Sequence, residues 1–275
     1  MKTKKNLSTI ILIVILFAGL ALLLYPSVSN YWNSLHQSRA IVGYAQSVER
    51  VDNSEYEKML ADAADYNIAL FSKEQPLFLS EQEKAVYNSL LDVTGTGIMG
   101  YIEIPKIDCE LPVYHGTQEG ILQVAIGHLE GTSLPIGGVN THCVLSGHRG
   151  LPSAKLFTEL DELVVGDLFM LRVLDETYTY EVEKILIVEP HEVDSLEMEP
   201  GKDLCTLVTC TPYGINTHRL LVRGHRVENL KETTTLRITA DATRIEPMIV
   251  APIVAIPSLL VLLVVLLIDT RKKRR

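Results

Sequence analysis

Two long apolar runs near the ends of the chain constrain its fold most strongly. Residues 7–24 are mostly leucine, isoleucine, valine and alanine, and residues 248–268 form a second run of the same kind. A helix needs roughly 20 apolar residues to cross the hydrocarbon core of a bilayer, and both runs approach that length. The sequence therefore predicts one membrane helix at each end and a folded region of about two hundred residues between them.

Basic residues flank the outer end of each run. Lys2, Lys4 and Lys5 precede the first, and residues 271–275 contain only lysine and arginine. The positive-inside rule then predicts that both termini lie in the cytoplasm and that the region between the runs is extracellular.

Each run has one alternative interpretation. The first could be a cleaved signal peptide, although no clear small-x-small cleavage site follows Leu24. The second could be a buried core helix, although its length, its lack of charge and the basic stop argue against this. Pro252 and Pro257 are tolerated in membrane helices. We expect an uncleaved anchor at the start and a membrane span at the end.

The region between the runs is strongly acidic. The whole chain has a formal net charge of −9. Without the eight basic residues of the two ends and Asp269, 17 basic and 33 acidic residues remain, a net charge of −16. Such a charge repels nucleic acid and suits an aqueous exterior, so we expect no nucleic-acid partner.

The four cysteines, Cys109, Cys143, Cys205 and Cys210, are too few for a disulfide scaffold of this size. Cys205 and Cys210 are an odd number of residues apart, so on a regular strand they face opposite sides and cannot bridge each other. No CxxC pair and no closely spaced histidine pair indicates a metal site. We therefore expect neither a metal nor a cofactor.

The hydrophobic period changes once along the chain. Residues 26–95 show apolar residues at three- and four-residue intervals, which predicts helices, with an N-cap at Asp52-Asn53-Ser54. From Tyr101 the period is two, and many short strands with few helices indicate a β-barrel or a sandwich. The predicted strands are 101–104, 111–114, 143–146, 168–173, 177–188, 206–210 and 219–223.

These patterns divide the chain into five segments. We expect a basic tip with the N-terminal anchor or signal at 1–25 and a helical N-terminal region at 26–95. A catalytic β domain follows at 96–228. The remaining segments are a polar linker at 229–247, and a membrane helix with a basic cytoplasmic tail at 248–275.

Three side chains in the β region could carry out acyl transfer. Cys210 ends a strand and faces a turn, His148 lies between two glycines, and Arg219 sits in an apolar strand. A thiol, an imidazole and a guanidinium can act as nucleophile, proton carrier and anion clamp if the fold brings them together.

Each of these side chains also has an ordinary structural interpretation. Cys210 could be a buried thiol, His148 a turn residue bonded to a carbonyl, and Arg219 half of an ion pair. His142 is the nearest alternative to His148. Arg149 and Arg223 are weaker candidates for the role of Arg219.

The motifs around these residues resemble those of sortases. Thr206-Leu207-Val208-Thr209-Cys210 matches the TLxTC signature, and Gly147-His148-Arg149-Gly150 matches the histidine motif. The similarity covers roughly residues 95–226. Residues 211–219, which read Thr-Pro-Tyr-Gly-Ile-Asn-Thr-His-Arg, and the second apolar run make the chain most like class C sortases, the pilin-polymerising enzymes of Gram-positive bacteria.

This resemblance implies a mainly β fold, a closed eight-stranded barrel with N-terminal helices, between the two membrane helices predicted above. It also implies a transpeptidase that cleaves an LPxTG-like sorting signal between threonine and glycine, through a thioacyl enzyme at Cys210. His148 would move the proton, and Arg219 would hold the substrate and steady the oxyanion. Thr209 and Thr211 would support substrate or oxyanion binding, and a pilin lysine would resolve the intermediate as an isopeptide bond.

One family feature is altered. Class C enzymes usually carry a lid with an Asp-Pro-Phe/Trp-like motif over the cysteine, whereas the nearest stretch here, Gln75-Pro76-Leu77-Phe78, lacks the aspartate. Pro76 and Phe78 are therefore the candidate lid residues. Three other functions are considered: a sortase that attaches surface proteins to the cell-wall peptide, a membrane-bound cysteine protease, and a non-catalytic adhesion or scaffolding barrel.

Overall fold

A computed structural model describes residues 2–229 together with positions 257, 259 and 264. The described residues before position 230 divide into two compact units, residues 2–32 and residues 33–229. Almost all of the predicted polar linker and nearly all of the predicted C-terminal membrane helix lie outside the described residues.

Helix α1 (Lys2–Val48) carries the first apolar run. Within it, Ile10–Val48 is long and apolar enough to cross a membrane, and none of its most apolar stretch is buried in the protein. This helix could serve as an N-terminal membrane anchor, which agrees with the first part of the membrane prediction.

Three shorter α-helices follow within residues 49–229: α2 (Asn53–Phe71), α3 (Glu81–Ser89) and α4 (Glu119–Leu122). The predicted N-cap of α2 is confirmed, since the Asp52 carboxylate accepts hydrogen bonds from the amides of Ser54 and Glu55. Helix α3 begins with a capping box between Ser80 and Glu83.

Eight strands close into a barrel in the order β1-β2-β3-β4-β7-β8-β6-β5. Neighbours pair antiparallel except for β2 with β3 and β4 with β7, which run parallel. The strands are β1 (Ile98–Ile104), β2 (Cys109–His115), β3 (Ile126–His128), β4 (Thr141–Ser146), β5 (Leu168–Val173), β6 (Glu176–Val188), β7 (Asp203–Thr211) and β8 (His218–Arg226).

The eight-stranded barrel expected from the resemblance is confirmed. All seven strands predicted from the alternation are present, most of them longer by a few residues. Strand β3 was missed, because three residues with Gly127 at the centre are too short to show a period of two.

A buried tyrosine and a buried asparagine attach the helical region to the barrel. The Tyr44 hydroxyl, at the end of α1, donates to the Met99 carbonyl and accepts from the Leu174 amide. The Asn67 amide group of α2 bonds both the amide and the carbonyl of Leu134. These paired bonds satisfy buried backbone groups at the rim of the barrel and fix the helices against it.

Candidate active site

Strands β7 and β8 place Cys210 and Arg219 directly opposite each other. Their register pairs Cys210 with Arg219 and Thr211 with His218. Side chains that are directly opposite in an antiparallel pair project from the same face, with Cβ atoms about 5 Å apart. The predicted nucleophile and the predicted anion clamp are therefore neighbours.

The parallel pairing of β4 with β7 brings His148 to the same end of the barrel. Ser146 is paired with Val208, and the Gly147 amide donates to the Val208 carbonyl over 3.0 Å. His148 follows at once, alongside the last residues of β7. The structure thus brings together the three residues that the sequence predicted.

Both glycines around His148 lie at crowded positions. A Cβ added at Gly147 would lie 2.5 Å from Ile126 Cδ1 and 2.8 Å from Phe157 Cδ2, so these neighbours would have to shift to accommodate a side chain there. Gly150 has a φ of +75°, and a Cβ there would lie 3.0 Å from the Tyr213 ring. Glycine at both positions therefore lets the loop that carries His148 pack closely without strain.

Thr209 is hydrogen-bonded to the loop that carries His148. Its side chain is buried, and its hydroxyl donates to the Gly147 carbonyl over 2.8 Å. Thr211 is also buried, with its hydroxyl 3.4 Å from Nη1 of Arg149. The direct contact of either threonine with a substrate stays a prediction.

Burial distinguishes the cysteines from one another. All four are free thiols; Cys143 and Cys205 are buried, where a substrate carbonyl cannot reach them, whereas Cys109 and Cys210 are only partly buried. Burial raises the pKa of Cys109 to about 12, and burial also raises the pKa of Cys205 well above its ordinary value. Since the thiolate is the nucleophile, neither of these two is suited to attack a carbonyl.

The histidines divide in the same way. Burial lowers the pKa of His115 and of His142, and both ring nitrogens of each contact backbone or hydroxyl oxygens. His148 is only half-buried, and its Nε2 atom is shielded from solvent without a hydrogen-bond partner among the described residues. The Nε2 atom of His148 therefore lacks the kind of hydrogen bond that both ring nitrogens of His115 and His142 make.

The three candidate arginines have different partners. Arg223 contacts Glu183 and Glu199, at 2.8 and 2.7 Å, and Arg149 contacts Asp161. Arg219 bonds only the backbone carbonyls of His218 and Asn216, and no carboxylate pairs with it in the described part of the chain. Its guanidinium remains available for an anion or a substrate carbonyl.

The candidate lid residues lie elsewhere on the barrel. Pro76 and Phe78 line a cavity of about 120 Å³ together with Thr132, His142 and Met198. The backbone of residues 76 and 77 packs closely on Gly131, where a Cβ would lie 2.4 Å from the Pro76 carbonyl oxygen. Half-exposed Cys210 is not among the residues that line this cavity.

One feature near the site was not predicted. Glu119, at the start of α4, places Oε2 4.0 Å from Nε2 of His148. The two residues are far apart in sequence, and a single glutamate in a short polar segment carries no pattern that would single it out.

Comparison with known proteins identifies the β region. Residues 102–227 match the family model described as "Sortase domain". Among solved structures, sortase C1 from Streptococcus agalactiae is 54% identical, with 70% of this chain and 100% of that chain covered and a TM-score of 0.69. Sortase C from Streptococcus pneumoniae, whose structure is described in terms of catalysis and pilin substrate specificity, is 44% identical, with coverages of 70% and 97% and a TM-score of 0.62.

Among curated proteins, sortase D of Bacillus subtilis is 34% identical over 131 residues. This match covers 46% of the chain and 63% of that relative, so it spans somewhat less than two thirds of the relative's length.

Proposed function

Because the chain belongs to the sortase family of cysteine transpeptidases and is most like its class C members, we propose that it joins pilin subunits at a Gram-positive cell surface. One observation carries this proposal. Cys210, His148 and Arg219 are brought to adjoining strand ends of the barrel, and among the described residues neither Nε2 of His148 nor the guanidinium of Arg219 is hydrogen-bonded to a side chain.

In the first half of the reaction, the Cys210 thiolate attacks the threonine carbonyl of an LPxTG-like sorting signal. The bond between threonine and glycine breaks, and His148 gives a proton to the departing glycine amine. Arg219, opposite Cys210, donates hydrogen bonds to the oxygen on which negative charge develops. The product is a thioacyl enzyme.

In the second half, a lysine amine of another pilin attacks the thioester. His148 takes the proton that this amine loses, and the Cys210 thiolate departs, which leaves an isopeptide bond. The net charge of −16 between the two apolar runs favours the approach of a lysine-bearing partner. Thr209 acts through the histidine loop, since its hydroxyl already donates to Gly147.

The proposed location follows from the membrane segments. The apolar part of α1 anchors the protein. With the second apolar run also spanning the bilayer, both termini are cytoplasmic and the barrel is extracellular, where pilin and surface-protein substrates with C-terminal sorting signals are found.

For the lid, we expect Pro76 and Phe78 to cover the cavity beside His142 and to leave Cys210 accessible. The half-exposed thiol then reacts quickly with an alkylating reagent in the resting enzyme, and Phe78→Ala leaves that rate unchanged. Alkylation that accelerates in Phe78→Ala would show that this segment guards Cys210.

The decisive experiment is mass spectrometry of the enzyme with a sorting-signal peptide and a lysine-bearing pilin. We expect a thioacyl adduct on Cys210 that disappears as an isopeptide-linked product forms. Cys210→Ala should form no adduct, and Cys109→Ala, which removes a thiol of raised pKa, should behave like the wild type.

The other functions give different outcomes. Transfer only to a cell-wall peptide amine would identify an anchoring sortase, and water as the only acceptor would identify a protease. No adduct with any sorting-signal peptide would contradict the assignment of Cys210.

A further inference from the structure

We propose that Glu119 is a positioning residue for His148, and that it directs the Nε2 nitrogen of the imidazole away from the reaction so that Nδ1 handles the proton. This inference deepens the proposed function and rests on the role assigned there to His148. Nothing in the family motifs points to Glu119.

The first observation is the state of the Nε2 atom. It is shielded from solvent, and it has no hydrogen-bond partner among the described residues. Buried polar atoms are almost always partnered, so an unpartnered one in an active site needs an explanation. The carboxylate contact recorded for this nitrogen is Oε2 of Glu119, 4.0 Å away. This distance is too long for a hydrogen bond, but such bonds are often loose in substrate-free enzymes and tighten in the complex.

The second observation is that the Glu119 carboxylate is itself held in place. The Gln123 side-chain amide donates a hydrogen bond of 2.5 Å to Oε1, the other oxygen of the carboxylate. Glu119 and Gln123 lie one helical turn apart at α4, where such side chains are neighbours. Oε2 is thereby left free on the side of His148, although the Glu119 side chain is otherwise 75% exposed.

The chemical consequence concerns which nitrogen carries the proton. A carboxylate facing Nε2 accepts a hydrogen bond, so it favours the neutral tautomer with a proton on Nε2 and a lone pair on Nδ1. It also stabilises the imidazolium that exists while His148 carries the extra proton. In the proposed reaction, Nδ1–H then gives its proton to the departing glycine amine and regains one from the incoming lysine amine. The Nε2 proton stays in place throughout.

The rest of the surroundings contains no competing acid for this nitrogen. Asp161 is paired with Arg149, and Glu130 accepts from Gln118. In the described part of the chain, no other carboxylate lies within 4.0 Å of His148.

The test combines kinetics and nitrogen NMR on the full chain in detergent. Removing the carboxylate that orients the histidine of a Ser-His-Asp triad lowers kcat by about 10⁴-fold. The Glu119 side chain is 75% exposed and 4.0 Å from the ring, so we expect a much smaller loss, with Glu119→Gln lowering kcat by about tenfold. KM for the sorting-signal peptide should change by less than about twofold, since the interaction acts on the proton carrier and not on ground-state binding. Glu119→Asp should recover part of the loss.

The NMR experiment reads the tautomer directly and needs no substrate. In enzyme labelled with ¹⁵N-histidine, and with the His148 signals identified from a His148→Gln sample, the neutral ring should be protonated mainly on Nε2. Glu119→Gln should reduce that preference, and Gln123→Ala should reduce it less. Glu57→Gln, which neutralises an exposed acid on α2, is the matched control for the charge change and should alter neither kinetics nor tautomer.

Two outcomes would overturn this inference. One is an unchanged kcat together with an unchanged tautomer in Glu119→Gln. The other is a loss of activity that appears only as a raised KM, which would make Glu119 a substrate contact. Both differ from failure of the proposed function, in which His148→Ala would itself retain transpeptidase activity.

Discussion

The two ends of strand β4 carry a histidine each, and the two rings have opposite surroundings. His142, at the beginning, is buried, with Nδ1 2.8 Å from the Glu197 carbonyl and Nε2 2.7 Å from the Thr206 hydroxyl. His148, just past the end, is half-buried and keeps an unpartnered nitrogen. An imidazole with both nitrogens hydrogen-bonded inside the protein stabilises the fold, whereas an imidazole with an unpartnered nitrogen can exchange a proton. The two arginines of β8 differ in a similar way, because Arg223 is ion-paired with two glutamates whereas Arg219 donates to backbone carbonyls.

Replacing each of the two histidines with alanine tests this contrast most directly. His148→Ala should reduce kcat/KM for a sorting-signal peptide by about 10³-fold, because the proton carrier is lost, and should leave the free energy of unfolding nearly unchanged. His142→Ala should reduce activity by less than about tenfold but lower the free energy of unfolding by about 2–3 kcal/mol, because it leaves the Thr206 hydroxyl and the Glu197 carbonyl unpaired.

Peptide-cleavage kinetics and denaturant titration of the two variants measure these effects side by side. If His142→Ala proved inactive at full stability, the two ends of β4 would not differ in the way described.

The second prediction applies the comparison to β8. Arg219→Ala should lower kcat by about 10²- to 10³-fold at unchanged stability, since the guanidinium opposite Cys210 has no structural ion pair. Arg223→Ala should cost about 1–2 kcal/mol of stability, because Glu183 and Glu199 lose their shared, partly buried partner. Its effect on kcat should stay below about tenfold. The same assays apply, and an Arg219→Ala enzyme with wild-type kcat would contradict the role of that residue.

The sequence predicted the parts of this molecule that repeat or match a motif. Alternation of apolar residues located seven strands, and the TLxTC and histidine motifs selected Cys210 and His148 as candidate catalytic residues. Strand β3 was missed because it is three residues long and is held by pairing with β2 and β4, which no local pattern records.

The contacts that complete the site were also invisible in the sequence. Glu119 and His148, or Thr209 and Gly147, meet only through the pairing of strands that are distant in the chain. Residue type alone did not distinguish His142, which lies in β4, from His148, which follows it; the histidine motif favoured His148. The hydrogen-bond partners that make the two rings different exist only after folding.

The smallest expected effect is a pH dependence of stability that arises at His142. Burial lowers the pKa of His142 below its ordinary value of 6.5, with a further contribution from the nearby positive charge of Arg223. The unfolded chain therefore binds this proton more tightly than the folded chain does. The stabilisation is complete above about pH 6.5 and is lost as the pH falls below it, by at most about 1.4 kcal/mol per pH unit.

His142→Gln removes this titration and retains a polar side chain. The free energy of unfolding of the wild type minus that of His142→Gln should be constant above pH 7 and should decrease between pH 6.5 and 5. Exposed His191, replaced in the same way, serves as the control for a histidine outside the barrel core. A wild type that gained stability relative to His142→Gln on acidification would mean that the His142 ring binds its proton more tightly when folded. His142 would then bind a proton readily in the folded protein, and the contrast between it and His148 would be wrong.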